Sequence, residues 1–262
     1  MNNTQINSKK KLRSLIVPKE IEVLISSTGG VGTTFLIKHI NKYKLTNHIG
    51  DNDKLKHIIF PPVSYNKNIK YIFIFGNPID SVISLFKRNL YHNHSSKLVQ
   101  FNNKFNAISQ NTTLEEYARG GIDRFLFAEQ FNNWLELSKF YPTLFLKYEK
   151  IWDNLDILYE FLEIPLEELS KFPEKKKRKS DFSSLNKETQ KGLKNIYGEY
   201  ERYIEYFDDC LIVNERKKPL VPRILLTKAF YYTARRSVAI RINEFSPSLS
   251  DYLENLYFSG RK

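Results

Sequence analysis

The 262-residue chain has one cysteine, Cys210, and one methionine. A single thiol excludes an internal disulfide framework and fits a reducing compartment. No apolar run approaches the roughly 20 residues that span a bilayer. The opening stretch, MNNTQINSKKKLRS, is polar and basic without an apolar centre. It reads as a flexible arm over residues 1–20, not a secretory signal, and a soluble cytoplasmic protein is expected. Acidic residues are also scarce, with 29 Asp and Glu against 41 Lys and Arg and a net charge of +12. That balance suits an anionic ligand, a nucleic acid or an acidic membrane surface. Solvated lysine in an Asn- and Lys-rich chain accounts for most of the excess. His92 and His94 lack carboxylate or cysteine company, so no metal site is expected.

What is present is organised around Glu22 to Ile40, EVLISSTGGVGTTFLIKHI. An apolar run, Val23 to Ile25, meets a small-residue loop from Ser26 to Gly32. A helix then starts at Thr33 and Thr34 with Phe35, Leu36 and Ile40 on its apolar side. Glycines let a backbone approach a ligand closely. The loop N–H groups, the helix N-terminus and the threonine hydroxyls together suit a phosphate. The plainer alternative is an ordinary Gly-rich turn. The ATPase loop G-x-x-x-x-G-K-(S/T) needs a lysine. Here Thr33 follows Gly32, and Ser27 stands at the first glycine position.

Further along, His57 to Phe60 predicts a short strand ended by Pro61-Pro62. Lys70 to Phe75, KYIFIF, predicts a central parallel strand buried on both faces. Gly76 to Asp80 breaks it, and a helix follows with Asn77 as cap and Pro78 in its first turn. His92 to Gln110 reads as an irregular mobile loop. Leu114 to Phe140 predicts two helices broken at Gly120-Gly121, with Asp123 as a cap. Thr143 to Lys147 predicts a buried strand, with a helix from Ile151. Glu174 to Ser180, EKKKRKS, is a basic run. Asn186 to Phe207 predicts a long helix with Ile196, Tyr200, Tyr203 and Phe207 as its apolar stripe. A last helix after Pro222 suits packing on the main domain better than contact with a membrane surface. The whole reads as α/β: a P-loop-like three-layer fold with a mostly parallel central sheet, helices on both faces, and ligand at the carboxyl ends of the strands.

Several of these segments resemble the PAPS-dependent sulfotransferases. Gly30-Val31-Gly32-Thr33-Thr34-Phe35 resembles K-S-G-T-T-W of the family's 5′-phosphate loop, with Gly30 at the lysine. The 3′-phosphate motif R-(N/D)-P-x-D-x-x-x-S-x-x-x-(R/H) is matched by Asn77, Pro78, Asp80, Ser84 and Arg88, with Gly76 at the arginine. Lys56-His57 ahead of Pro61-Pro62 is similar to K-T-H-L-P, whose histidine is the base. The helix with Trp134 is similar to one that buries a tryptophan. Tyr148-Glu149 resembles the start of Y-E-D-L, whose tyrosine touches adenine. Glu160 to Pro165 resembles E-F-L-G-(L/I)-P, and the basic run resembles an R-K-G loop. The resemblance runs from about Ile21 to Asp209 and leaves 210–262 as a helical extension.

This resemblance implies PAPS as co-substrate, PAP as product and no metal. The reaction implied is transfer of a sulfuryl group to a hydroxyl or amine of a small-molecule or carbohydrate acceptor, with no nucleic acid partner. His57 is then the base, and Lys56 offsets charge on the departing oxygen. Gly29, Gly30, Val31, Gly32, Thr33 and Thr34 hold the 5′-phosphate. Phe35 and Tyr148 flank the adenine. Ser84 and Arg88 serve the 3′-phosphate, with Arg178 and Lys179 as replacements for the missing arginine. The lost lysine and arginine keep two alternatives open: a degenerate nucleotide- or acceptor-binding protein, and a P-loop kinase or ATPase with an altered loop.

Overall fold

The computed structural model describes residues 16–64, 66, 68–99, 106–138, 142–176 and 180–213. The start of the N-terminal arm and the helix expected after Pro222 lie outside them. β1 is Ile16–Val17, β2 is Val23–Ser27, and helix α1 follows at Thr33–Ile40. β3 (Val63–Ser64) and β4 (Lys70–Phe75) precede α2 (Pro78–Lys87), α3 (Tyr91–Val99), α4 (Leu114–Arg119) and α5 (Phe127–Leu137). β5 (Thr143–Lys147) leads through a 3₁₀ turn, Tyr148–Asn154, into α6 (Leu155–Leu162). α7 (Lys187–Glu205) and β6 (Cys210–Val213) close the described chain.

β2, β4, β5 and β6 form one sheet in that order, the first three parallel and β6 antiparallel to β5. Ile25 lies opposite Ile72, and Ile72 opposite Leu144. The two-residue period of a strand therefore sends Val23, Ile25, Ile72, Ile74, Leu144 and Leu146 to one face. They pack there with Leu36, Ile37 and Ile40 of α1 and Leu158, Tyr159 and Leu162 of α6. On the other face Tyr71, Phe73, Phe75 and Phe145 meet Phe131 and Trp134 of α5 and Phe207 beyond α7. Phe73 and Trp134 stack at 4.9 Å. Burial on both faces is why KYIFIF carries no alternation, and each such aliphatic side chain contributes about 1.5–3 kcal/mol. The expected α/β, P-loop-like fold is the one found.

Five local expectations change. Cys210–Val213 pair with β5, so the sheet continues past the expected boundary at Asp209. Ile16–Val17 of the supposedly flexible arm pair in parallel with Val63–Ser64. His57 to Phe60 is irregular, because this segment crosses the carboxyl edge of the sheet and bonds to side chains, as where the Ile58 carbonyl accepts the Trp134 indole N–H at 3.0 Å. Instead of a loop after His92, α3 spans Tyr91–Val99 with Tyr91, His94, Ser95 and Leu98 buried. Their i, i+3, i+4, i+7 spacing is helical, but three of the four are polar or amphipathic and hide the period. On α7 the buried stripe is Leu193, Tyr197, Tyr200 and Ile204, while Tyr203 and Phe207 cover Phe131 from the side.

The N-cap of α5 is Leu126, not the expected Asp123, which instead ties the turn ahead of the helix. Its carboxylate accepts the backbone N–H groups of Phe125, Leu126 and Phe127 at 2.9 Å and the Tyr197 hydroxyl at 2.9 Å. The Tyr197 hydroxyl also meets that of Tyr117 at 2.5 Å. One side chain thus joins α4, α5 and α7. Burial pushes the Asp123 carboxyl up to about 6 although these donors pull it down. Asp123→Ala strands four donors, so urea unfolding should show a loss of about 3 kcal/mol.

Candidate active site

The loop from Thr28 to Gly32 follows β2 at the carboxyl edge of the sheet. Each of its glycines lies against a different element. A Cβ on Gly29 would meet the His94 ring at 2.4 Å. On Gly30 it would meet the Ser81 carbonyl oxygen at 2.8 Å and Cα at 2.9 Å, and on Gly32 the Tyr148 ring at 2.6 Å. Gly30 and Gly32 also hold φ of +70° and +73°, which favours glycine. Val31 is fully buried in the core and turns its side chain away from the loop surface.

Helix α1 starts at this loop without a side-chain cap and, among the described residues, without an acid in its first turn. By contrast α2, α4 and α7 carry Asn77, Thr113 and Asn186 as caps. An N-terminus left in that state attracts an anion. The two threonines have separate tasks. Thr33 Oγ1 bonds Ser27 Oγ at 2.5 Å inside the turn. Thr34 Oγ1 accepts from Lys56 Nζ at 2.5 Å, and that ammonium also donates to the Ile49 carbonyl at 2.9 Å. Lys56 is only 6% exposed. Burial, then the nearby Arg88 charge, lowers its pKa, which makes the ammonium a group that an incoming anion stabilises.

The Lys56 carbonyl accepts from the Ser27 N–H at 3.1 Å and the Ser26 hydroxyl at 3.0 Å, which fastens the Lys56-His57 dipeptide to the end of β2. His57 Nδ1 lies 3.1 Å from Ser27 Oγ and 3.3 Å from the Ser27 carbonyl oxygen. A carbonyl can only accept, so Nδ1 carries the proton and Nε2 is the basic atom. Burial, then the neighbouring His94 ring and the Lys56 and Arg88 charges, holds the His57 pKa well below 6.5, so the ring is neutral at pH 7. Arg88 caps α2 with its own Nε–H on the Ser84 carbonyl at 3.1 Å, while its charge acts on Lys56, His57 and His94.

A wall of rings flanks the loop. Phe35 stacks on Trp152 at 5.8 Å and meets Phe172 edge-on at 5.4 Å. Tyr148 meets Trp152 at 6.0 Å. At the second turn, Asn77 caps α2 by accepting the Asp80 N–H at 3.0 Å, and its amide donates to Glu201 at 2.8 Å. Where the resemblance places an arginine, a Cβ on Gly76 would meet the Glu149 carboxylate at 2.9 and 3.0 Å. The Asn77 N–H donates to that carboxylate at 3.2 Å. Lys175, from the start of the basic run, donates to the Glu149 carbonyl at 2.9 Å and sits 5.5 Å over the Trp152 ring. Arg178 and Lys179 lie outside the described residues.

The fold thus brings together Gly29 to Phe35, Lys56, His57, Arg88 and Tyr148, with Ser84 one turn before Arg88. Sequence reasoning missed two participants. His94, read as solvated, is 5% exposed, and its Nε2 donates to the Thr28 carbonyl at 3.1 Å. His92 turns instead to the Ile108 carbonyl at 2.7 Å, so the two histidines do not share a target. Trp152 carried no signal beyond its position four residues after Tyr148.

An uncapped helix start, a backbone loop, a buried lysine and a histidine share one edge of the sheet in this α/β protein. A sulfotransferase-domain family model matches residues 54–212. The chain belongs to the sulfotransferase-domain family. A search of solved structures returns a mouse sulfotransferase, SULT7A1, in a crystal structure with PAP, at 16% identity over 97% of this chain and 95% of that one, with a TM-score of 0.33. No curated protein matches the chain. Among the described residues no helix is long and apolar enough to cross a membrane.

The two glycines at the family's charged positions should respond differently to substitution. At Gly30 a side chain meets backbone at positive φ, so Gly30→Lys should cost about 2–3 kcal/mol in urea unfolding. At Gly76 it meets the Glu149 carboxylate and the buried Val31 side chain at ordinary φ, so Gly76→Arg should cost less, about 1 kcal/mol.

Proposed function

We propose that the chain transfers a sulfuryl group from PAPS to a hydroxyl or amine of a small-molecule or carbohydrate acceptor. One observation carries this reading: the Lys56 ammonium and the His57 ring are both fastened to the turn that leads into an uncapped helix. A cation, a base and a phosphate site therefore share one edge of the sheet.

In this reading the N–H groups of Gly30 to Thr34 hold the 5′-phosphate, while the Gly29 N–H donates to Ser27 Oγ at 3.0 Å and shapes the turn, and Phe35, Trp152 and Tyr148 wall the adenine. Lys56 supplies the positive charge that Gly30 cannot, and Arg88 stays with Ser84 at the 3′-phosphate. His57 Nε2 accepts the acceptor's proton as the acceptor's oxygen or nitrogen bonds to sulfur. The bond from sulfur to the bridging oxygen breaks, and PAP leaves with that electron pair. Lys56 stabilises the charge growing on the bridging oxygen, a role in which a preorganised cation contributes several kcal/mol. No step in this scheme needs a metal. The 3′-phosphate is served by Ser84 and the basic run with Arg178 and Lys179, whose first members reach Glu149 and Trp152 through Lys175.

A second reading, a nucleotide-binding protein without turnover, draws on the Glu149 carboxylate beside Gly76, where the family has a cation. The kinase or ATPase reading is weaker, since Thr33 stands where that loop needs its lysine and turns its hydroxyl inward to Ser27. Thermal shift separates them: PAP should raise the melting temperature more than ATP with magnesium does. Preference for ATP with magnesium dependence would remove the sulfotransferase reading. With PAPS and an acceptor panel, His57→Ala should lower transfer by about 10²-fold or more while PAP affinity changes by less than about threefold. Equal losses in both would make His57 structural.

A further inference from the structure

α3 reaches the Lys56-His57 dipeptide from two sides. On one side, His94 packs edge-on against the His57 ring, with centroids 4.8 Å apart and planes at 60°. The same ring fills the space beside Gly29 and donates from Nε2 to the Thr28 carbonyl at 3.1 Å. On the other side, one turn along α3, the Lys97 ammonium pairs with Asp51. The other oxygen of Asp51 accepts the Lys56 backbone N–H at 3.0 Å. Residues at i and i+3 share a helix face, so α3 clamps the base and its neighbour together.

We propose that His94 is a positioning residue for His57: it ties that ring to the phosphate loop, so that Nδ1–H stays on Ser27 and Nε2 is the atom presented to an acceptor. The proposal rests on the reading of His57 as the base. Two features make His94 more than filler. The Thr28 carbonyl can only accept, which fixes the proton of His94 on Nε2 and orients its ring. And the loop conformation that binds an anion is the one in which Gly29 leaves room for that ring, so loop and base share one packing contact. The groups that face His57 are Ser27 of the loop, Lys56 beside it, Arg88 from α2 and His94 from α3. Burial holds the His94 pKa down at about 4, so the ring that faces His57 is uncharged near neutral pH. A cationic ring there would repel both Lys56 and Arg88.

Imidazole ¹⁵N–¹H NMR of the full chain tests this without any turnover assay. In the parent protein, His57 should show one tautomer, with the proton on Nδ1, and a pKa well below 6.5. In His94→Phe, which keeps a ring but loses the N–H, His57 should populate both tautomers and its pKa should move towards 6.5. His94→Gln, which keeps a donor for Thr28, should fall between the two. A parent His57 protonated on Nε2 overturns the proposal with no variant needed. So does an unchanged tautomer and titration in His94→Phe, since stability alone would then account for His94. Added PAP probes the other reading separately: failure of PAP to shift the loop resonances counts against the nucleotide, whatever His57 does.

Discussion

The turn between β2 and α1 has no space for a side chain at Gly29, Gly30 or Gly32. His94, Ser81 and Tyr148 each come within van der Waals overlap of a Cβ that Gly29, Gly30 and Gly32 do not have. Three elements, α3, α2 and the segment after β5, therefore close on a strip of bare backbone. The consequence is electrostatic. A loop that binds phosphate through N–H groups alone has a partial positive charge from its helix and no full one. Any integral charge must be brought from elsewhere in the chain.

The rest of the site follows from that constraint. Lys56 arrives from a segment that leaves the sheet and crosses its carboxyl edge, where a strand would have been paired and turned away. Arg88 arrives from the end of α2, the helix whose first turn presses on Gly30. The cost of confining two cations and two imidazoles in one place appears as lowered pKa values for Lys56, His57 and His94. Each of these groups binds its proton less tightly because burial and the other cations oppose it. An anion relieves that opposition for the lysine, and the histidines meanwhile remain neutral and able to accept a proton. At the other turn the balance is reversed. Glu149 fills the space next to Gly76, and Lys175 donates to its carbonyl.

Much of this was legible in the residue order. The parallel strands announce themselves because a strand buried on both faces needs apolar residues throughout, as in KYIFIF. Asn77-Pro78 is readable because capping is local chemistry. α3 was not, since its buried face is made of Tyr91, His94, Ser95 and Leu98, and polarity masks its period. The exclusion of His57 to Phe60 from the sheet was equally hidden, because β-branched residues suit a strand and an irregular core segment alike. The edge strand Cys210–Val213 lay just beyond the last motif and needed its partner, β5, to be recognised.

The sequence by itself determined the class of fold, the two strand–turn–helix units and the glycines, because these depend on periodicity and on backbone angles set within a few residues. Only the tertiary structure decided which groups meet there. That Thr34 turns to Lys56 depends on a contact between segments more than twenty residues apart. The same holds for His94 lying against His57 and for a carboxylate standing where the family has an arginine. Such contacts leave no local pattern, since each is fixed by the packing of whole helices against the sheet.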